Sequence, residues 1–324
     1  MRAAACQYGP VGGNGVPIVI DGGLSTALQQ AGRELDHPLW TARLVADDPE
    51  AIIDAHLAYL RAGARVLVTS SYQASAAGFL ASGHDEAAAT ALLARTTVLA
   101  RTAIERFAAE RPAAERPAGT VDRLFVAASV GPYGAVLADG SEYRGDYAIG
   151  HRALVAFHRD RLRVLVTSAP DLLAIETMPS AAEARAVAEA LEPLATLSSW
   201  CSFGCRSGTQ TWAGDAIEDA VVAALAIPGV KALGVNCTAP QHIDELLGRI
   251  AAVTSLPLVV YPNRGAGWDA ATNSWRAAVT DPFTVEDVSR WVALGARFVG
   301  GCCGVGPDDV ATLVRRLASE RPER

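Results

Sequence analysis

Eight short apolar runs, each closing on Gly, Ser, Thr, Asn or another polar residue and alternating with longer helix-like stretches, constrain this chain more than any other feature. The runs are Pro17–Asp21, Arg65–Ser70, Leu124–Val130, Asp171–Glu176, Thr196–Phe203, Lys231–Asn236, Leu256–Tyr261 and Ala296–Gly301. Most are continuously apolar rather than alternating, which predicts strands buried on both faces, as in a parallel sheet covered by helices. Between them, Pro49–Ala62 places Ile52, Ile53, His56, Leu57 and Leu60 on one helical face. Similar spacing recurs over Glu86–Ala109, Ala148–Thr167, Ala181–Leu191, Ile217–Ala226, Ile243–Val253 and Val285–Leu294. Eight βα units in 324 residues predict an α/β fold, a (β/α)8 TIM-type barrel. An open doubly wound sheet is the alternative, but the first turn, Asp21-Gly22-Gly23-Leu24-Ser25-Thr26, lacks the Gly-x-Gly-x-x-Gly spacing of a dinucleotide site.

One domain is expected over residues 17–318, after a flexible leader at 1–16 and before a frayed tail at 319–324. Arg111–Arg123, with Pro112, Pro117 and Gly119, reads as a surface linker. The leader carries no apolar run of signal-peptide length and no later segment spans a bilayer, so a cytoplasmic protein is expected. With 28 basic against 35 acidic residues the net charge is −7, and no basic cluster appears, which argues against nucleic-acid or membrane partners. Nothing in the sequence fixes an oligomeric state. Lys231 is the single lysine, placed at a strand entry. A P-loop is therefore excluded, and a Schiff-base mechanism is unattractive.

In such a barrel the C-terminal strand ends face the active site. There the sequence sets Asp21-Gly22-Gly23, Thr69 to Gln73 with Ser71, Glu176-Thr177, Asn236-Cys237-Thr238 and Gly300-Gly301-Cys302-Cys303-Gly304. Three thiolates in one mouth repel one another unless a cation neutralises them, and Zn²⁺ takes sulfur ligands in tetrahedral sites with bonds of ~2.3 Å. Cys237, Cys302 and Cys303 thus form a candidate zinc site with one vacancy, which a structural zinc would fill with a fourth protein ligand and a catalytic zinc would keep for water or substrate. Free cysteines are more often small buried hydrophobes. That reading suits Cys6 in the leader and Cys201 inside a strand, and Cys205 is placed in an exposed loop or beside the site. His56 and His158 read as helix residues and not ligands. Tyr72, Tyr133 and Tyr143 sit in polar loops, where packing explains them less well.

These motifs resemble the homocysteine S-methyltransferase family, of the S-methylmethionine type. The resemblance is carried in order by Asp21-Gly-Gly-Leu-Ser-Thr, Asp36-His-Pro-Leu-Trp-Thr-Ala, Thr69-Ser-Ser-Tyr-Gln-Ala, Ser129-Val-Gly-Pro-Tyr-Gly-Ala, Ala138-Asp-Gly-Ser-Glu-Tyr-Arg-Gly-Asp-Tyr, Phe157-His-Arg, Asp171-Leu-Leu-Ala-Ile-Glu-Thr, Gly234-Val-Asn-Cys-Thr-Ala, Val259-Val-Tyr-Pro-Asn and Gly300-Gly-Cys-Cys. It implies zinc held by Cys237, Cys302 and Cys303, and methyl transfer from a sulfonium donor to L-homocysteine, giving L-methionine. The chemistry is consistent: the thiolate is the nucleophile, and a metal supplies that form at neutral pH.

Within that reading Asp21 and Glu176 are expected to hold the homocysteine amino group, and the Gly22 and Gly23 amides its carboxylate. Asp21 as a helix cap is the competing role. Ser71 and Asn236 are further substrate-binding candidates, and the faces of Tyr133 or Tyr143 would attract the sulfonium. The chain departs from the family pattern at Ala27, usually Glu; at Gly204, usually bulkier; at Arg264, usually Ser; and at Gly304-Val305-Gly306, often Arg-Thr-Thr. These spare the cysteines and bear on specificity. Two rivals stand beside this reading. One is another donor or acceptor on the same barrel: S-adenosylmethionine, a betaine-like compound or selenocysteine. The other is a non-enzymatic or redox protein with a structural Cys₃ zinc.

Overall fold

The computed structural model describes residues 16–35, 39–110, 123–265 and 281–319, and the backbone of 268–269 and 274–275. The expected leader up to residue 15, most of the linker, Asp36 to Pro38 of one motif, Cys6 and the tail beyond 319 lie outside the described residues.

Strands β1 (Ile18–Val19), β2 (Val66–Val68), β3 (Phe125–Val130), β4 (Leu172–Met178), β5 (Ser199–Phe203), β6 (Val230–Asn236) and β7 (Leu258–Tyr261) precede a small antiparallel ribbon, β8 (Trp268–Asp269) with β9 (Ser274–Trp275). β10 (Ala296–Val299) follows the ribbon. The sheet order is β1-β10-β7-β6-β5-β4-β3-β2, with every pairing parallel. A parallel bridge between Ile20 and Val66 closes it, with Arg65 N–H donating to Val19 O at 2.8 Å and Asp21 N–H to Val66 O at 3.0 Å. The expected barrel is the observed one, with all eight runs in it.

The helices form where local signals agree. Pro49–Ala62 starts at Asp48, whose carboxylate accepts from the Ala51 amide at 3.2 Å. It has proline in its first turn and stops at Gly63, whose φ of 102° suits a residue without a Cβ. Its buried face includes Ile52, Ile53, His56, Leu57 and Leu60, the stripe that the spacing predicts. Among the described residues, five further α-helices lie outside the stretches with helix-like spacing: Leu24–Gln30, Thr41–Asp47, Ala76–Ala81, Tyr133–Leu137 and Pro307–Ser319. The last buries only Val310, Leu313 and Leu317, a stripe too narrow to stand out beside four charged residues.

The apolar interior divides in two. One cluster lies between strands and helices, and a smaller one fills the barrel with Ile20, Val66, Phe125, Ala127, Leu172, Ala174, Trp200, Ala232, Val259 and Tyr261. Side chains along a strand alternate between faces, so the next inward positions are Ser129 on β3, Glu176 on β4, Ser202 on β5 and, one step past Gly234, Asn236 on β6. The inward register is apolar at the base of the barrel and polar at its mouth. That change positions the site.

Candidate active site and metal centre

A cavity of about 820 Å³ opens at the C-terminal ends of the strands, lined in part by Asp21, Glu176, Thr177, Cys237, Cys302 and Cys303. The three cysteine sulfurs lie within 4.8 Å of one another, and Cys237 Sγ is 3.8 Å from Cys303 Sγ. A tetrahedral ion with bonds of ~2.3 Å to sulfur sets its ligands ~3.8 Å apart, so this donor set fits a thiophilic metal. Cys237 directly follows β6 at φ 48°, a left-handed conformation that a residue with a Cβ adopts only when its surroundings enforce it. The thiols share protons unequally. Hydrogen bonds from Cys237 and Cys302 push the Cys303 thiol well below its ordinary value, while contacts with its two neighbours push Cys237 well up. Cys201 and Cys205 stay apart from the cluster. Cys205 is buried and not in an exposed loop: the chain turns inward there because Thr238 Oγ1 accepts its amide at 2.9 Å.

Behind the thiols runs a buried polar network. The Thr177 amide donates to Asn236 Oδ1 at 2.7 Å, Asn236 Nδ2 donates to Thr177 Oγ1 at 2.7 Å, and Ser202 donates to Asn236 Oδ1 at 2.8 Å. Asn236 Nδ2 also approaches Cys302 Sγ at 3.9 Å. Asn236 itself is fully buried and acts on the site through Thr177 and the cysteine sulfur. Tyr261, at the end of β7, accepts from Trp200 Nε1 at 3.0 Å and donates to Glu176 Oε2 at 3.1 Å; Ser129 donates to the other oxygen of Glu176.

Asp21 and Glu176 both line the cavity and are nearly buried. Burial pushes the Glu176 carboxyl up to about 8, opposed by the hydrogen bond from Ser129. Burial likewise raises Asp21 well above its usual range, against the Val68 amide, which donates to Asp21 Oδ2 at 2.9 Å. Two carboxyls so placed favour a cationic group between them. Asp21 does not cap the following helix. That helix begins at Gly23 with no side-chain cap, because the Asp21 carboxylate is turned across the barrel to β2.

The loop after β1 packs against the loop after β10: a Cβ on Gly22 would lie 2.5 Å from Val305 O, and one on Gly23 2.8 Å from Cys302 O. The Gly23 amide, expected to meet a substrate carboxylate, donates to Val305 O at 2.9 Å. Gly22 is left as the candidate for that role. Two other expectations fail on geometry. Ser71 is fully buried outside the cavity wall, its hydroxyl donating to Ser129 O at 2.7 Å. Tyr133 also lies away from the cavity, edge-on to Tyr147 at 5.3 Å and Phe157 at 5.0 Å, so packing does explain it. Tyr143 does line the cavity, edge-on to Trp212 at 5.5 Å.

Tyr72, Gln73, Glu142, Thr177 and Tyr261 also line the cavity, beyond the substrate-binding residues that the sequence suggests. The signal for Glu176, Ser202 and Asn236 is the inward register continued to the strand ends; Tyr72 and Gln73 are marked only by their place after β2, and Glu142 by no periodic signal.

The departures from the family pattern are structurally linked. Gly204 admits Trp212, whose ring would be 2.4 Å from a Cβ there, and Trp212 in turn supports Tyr143. Arg264 donates to Gly304 O at 2.6 Å and pairs with Asp309, which also accepts the Gly306 amide at 2.8 Å. The arginine at 264 thus secures the glycine-rich turn after Cys303. Ala27 is buried in its helix.

The family profile described as Homocysteine S-methyltransferase matches residues 18–317. A homocysteine S-methyltransferase of Escherichia coli (strain K12) is 43% identical over 300 residues, covering 92% of this chain and 94% of the relative. A selenocysteine methyltransferase of Astragalus bisulcatus is 38% identical, covering 94% of each chain. The crystal structure of the E. coli homocysteine methyltransferase MmuM in its metallated form superposes with a TM-score of 0.80 at 41% identity, covering 93% of this chain and 96% of that one. A matched family profile across the barrel, long identities and a shared fold with a metallated relative lead to one conclusion: the chain belongs to the homocysteine S-methyltransferase family and is a methyltransferase.

Proposed function

We propose that the enzyme transfers a methyl group from a sulfonium donor, S-methyl-L-methionine or S-adenosylmethionine, to the sulfur of L-homocysteine, with Zn²⁺ held by Cys237, Cys302 and Cys303. The observation that carries this reading is the convergence of three sulfurs within 4.8 Å in a cavity that also holds two buried carboxyls. Zn²⁺ there would supply Lewis acidity that favours the thiolate form of a sulfur acceptor at neutral pH.

The chain's own residues do the positioning. Asp21 and Glu176 receive the acceptor's ammonium, which restores their charged forms, and the Gly22 amide faces its carboxylate. Ser129 and Tyr261 fix the Glu176 oxygens, so the acceptor's backbone is held while its sulfur reaches the cysteines. Tyr72 and Tyr143 take over the role proposed for aromatic faces near the sulfonium. Attack of a thiolate on a sulfonium methyl cancels opposite charges, and needs in-line alignment more than a general base. A cytoplasmic site of action belongs to the same proposal, since a reducing compartment keeps such thiols free. Among the described residues no helix is long and apolar enough to cross a membrane.

The test is methionine formation from L-homocysteine with each sulfonium donor side by side, with selenocysteine as a competing acceptor. A metal-loaded preparation that forms no methionine from either donor would overturn the proposal.

A further inference from the structure

Two amino-acid substrates bring two ammonium groups to the cavity, and the Asp21–Glu176 pair serves one. Among the described residues, the remaining wall holds three buried polar atoms without a partner, Ser70 Oγ, Glu142 Oε2 and Gln73 Oε1, of which the last two can serve a cation only as acceptors. Glu142 is 8% exposed and Gln73 9% exposed. The Gln73 amide orientation is fixed by its Nε2, which donates to Ala135 O at 3.0 Å, so the unpartnered atom is the carbonyl and not the amino group. A buried acceptor left unpaired costs stability, and a site that keeps two of them in one cavity wall is completed by a ligand that donates.

Resting on the proposed methyl transfer, we infer that Glu142 and Gln73 form the subsite for the α-ammonium group of an amino-acid sulfonium donor. The charges acting on Glu142 are Asp139 and Arg144, whereas Asp21 feels Glu176 and Cys302, so the two acidic subsites are electrostatically distinct. Tyr72 and Tyr143 belong to the same stretch of wall as Glu142, whose charge acts on both rings. A donor with its ammonium on Glu142 and Gln73 thus lays its sulfonium against the tyrosine faces, leaving the Asp21–Glu176 end to homocysteine. The ligand class is an α-amino acid bearing a sulfonium on its side chain. Selectivity against sulfonium compounds without the amino group follows from the two otherwise unpaired acceptors.

The test compares S-methyl-L-methionine with its analogue lacking the α-amino group, using the metal-loaded full chain and Glu142→Gln. For the amino-acid donor the variant is expected to raise KM about 10- to 100-fold, the loss of one hydrogen bond to a charged group. KM for the des-amino donor and for homocysteine should be unchanged. Gln73→Met should show a smaller effect with the same selectivity. Equal losses with both donors would overturn the inference by placing Glu142 on the sulfonium, and a raised homocysteine KM would overturn it by placing Glu142 with the acceptor. Absence of turnover in the unmutated protein with every donor would instead sink the proposed function, a result separable from either.

Discussion

Thr177 and Asn236 bond to each other twice, the Thr177 amide giving to Asn236 Oδ1 and Asn236 Nδ2 giving to Thr177 Oγ1, both at 2.7 Å. The pair joins the ends of β4 and β6 where each strand leaves its pleat, at Thr177 with φ 58° and at Cys237 with φ 48°. Left-handed backbone at two such residues costs about 1–3 kcal/mol each, and the reciprocal bonds offset it. The arrangement holds Cys237 toward Cys302 and Cys303.

Replacing Asn236 with Ala leaves the buried Thr177 amide without its acceptor and frees the Cys237 turn. A stability loss of about 2–4 kcal/mol is expected, combining the unpaired group with the small cavity left behind. Metal should also dissociate faster. Urea unfolding and the rate of metal transfer to a chromogenic chelator check both; a variant as stable as the parent, with unchanged release, would remove Asn236 from this role.

Cysteine replacements separate the ligands from the bystanders. The protein as purified should carry about one zinc per chain. Cys237→Ala, Cys302→Ala and Cys303→Ala should each lose most of it, whereas Cys201→Ala and Cys205→Ala should retain it. Elemental analysis reads the outcome. Retention in all three of the first set, or loss in either of the second, contradicts the assignment.

Asp21→Asn and Glu176→Gln should weaken homocysteine binding and spare the metal, because their proposed partner is an ammonium. A charge-assisted hydrogen bond of about 1.5–3 kcal/mol corresponds to a KM increase of about 10- to 100-fold. Steady-state kinetics with varied homocysteine at saturating donor decides it, and an unchanged KM in both variants moves the amino-acid subsite elsewhere.

Glu142 gives the ligand-free protein a pH-dependent stability. Burial raises its carboxyl from 4.5 to about 7, so over that interval the folded chain keeps a proton that the unfolded chain has released. Its contribution is therefore complete below about pH 4.5 and is lost as pH rises through about 7. At about 1.4 kcal/mol per pH unit the loss is about 3 kcal/mol at most. Denaturant melts at about pH 5 and about pH 8, for the parent and Glu142→Gln, should show a smaller fall in the variant. Identical falls would mean that Glu142 titrates alike in both states.

The barrel and its cysteine cluster were legible in the sequence for a local reason. Continuous apolar runs such as Leu172-Leu173-Ala174-Ile175 announce a strand buried on both faces wherever they occur, and eight of them separated by helices leave few topologies. That topology places all strand ends at one mouth, so Cys237, Cys302 and Cys303 could be brought together from strand position alone. Asp21 and Glu176 reached the cavity by the same rule.

The tertiary structure alone decided what happens past the strand ends, where the two-residue alternation stops. Ser71 turns toward Ser129 while Tyr72 and Gln73 enter the wall; Tyr133 joins an aromatic cluster while Tyr143 faces the cavity. The Gly23 amide goes to Val305, a partner hundreds of positions away in the chain. In these loops the direction of a side chain is set by backbone turns that distant hydrogen bonds and ring contacts enforce, and a linear sequence carries no periodic signal for such contacts.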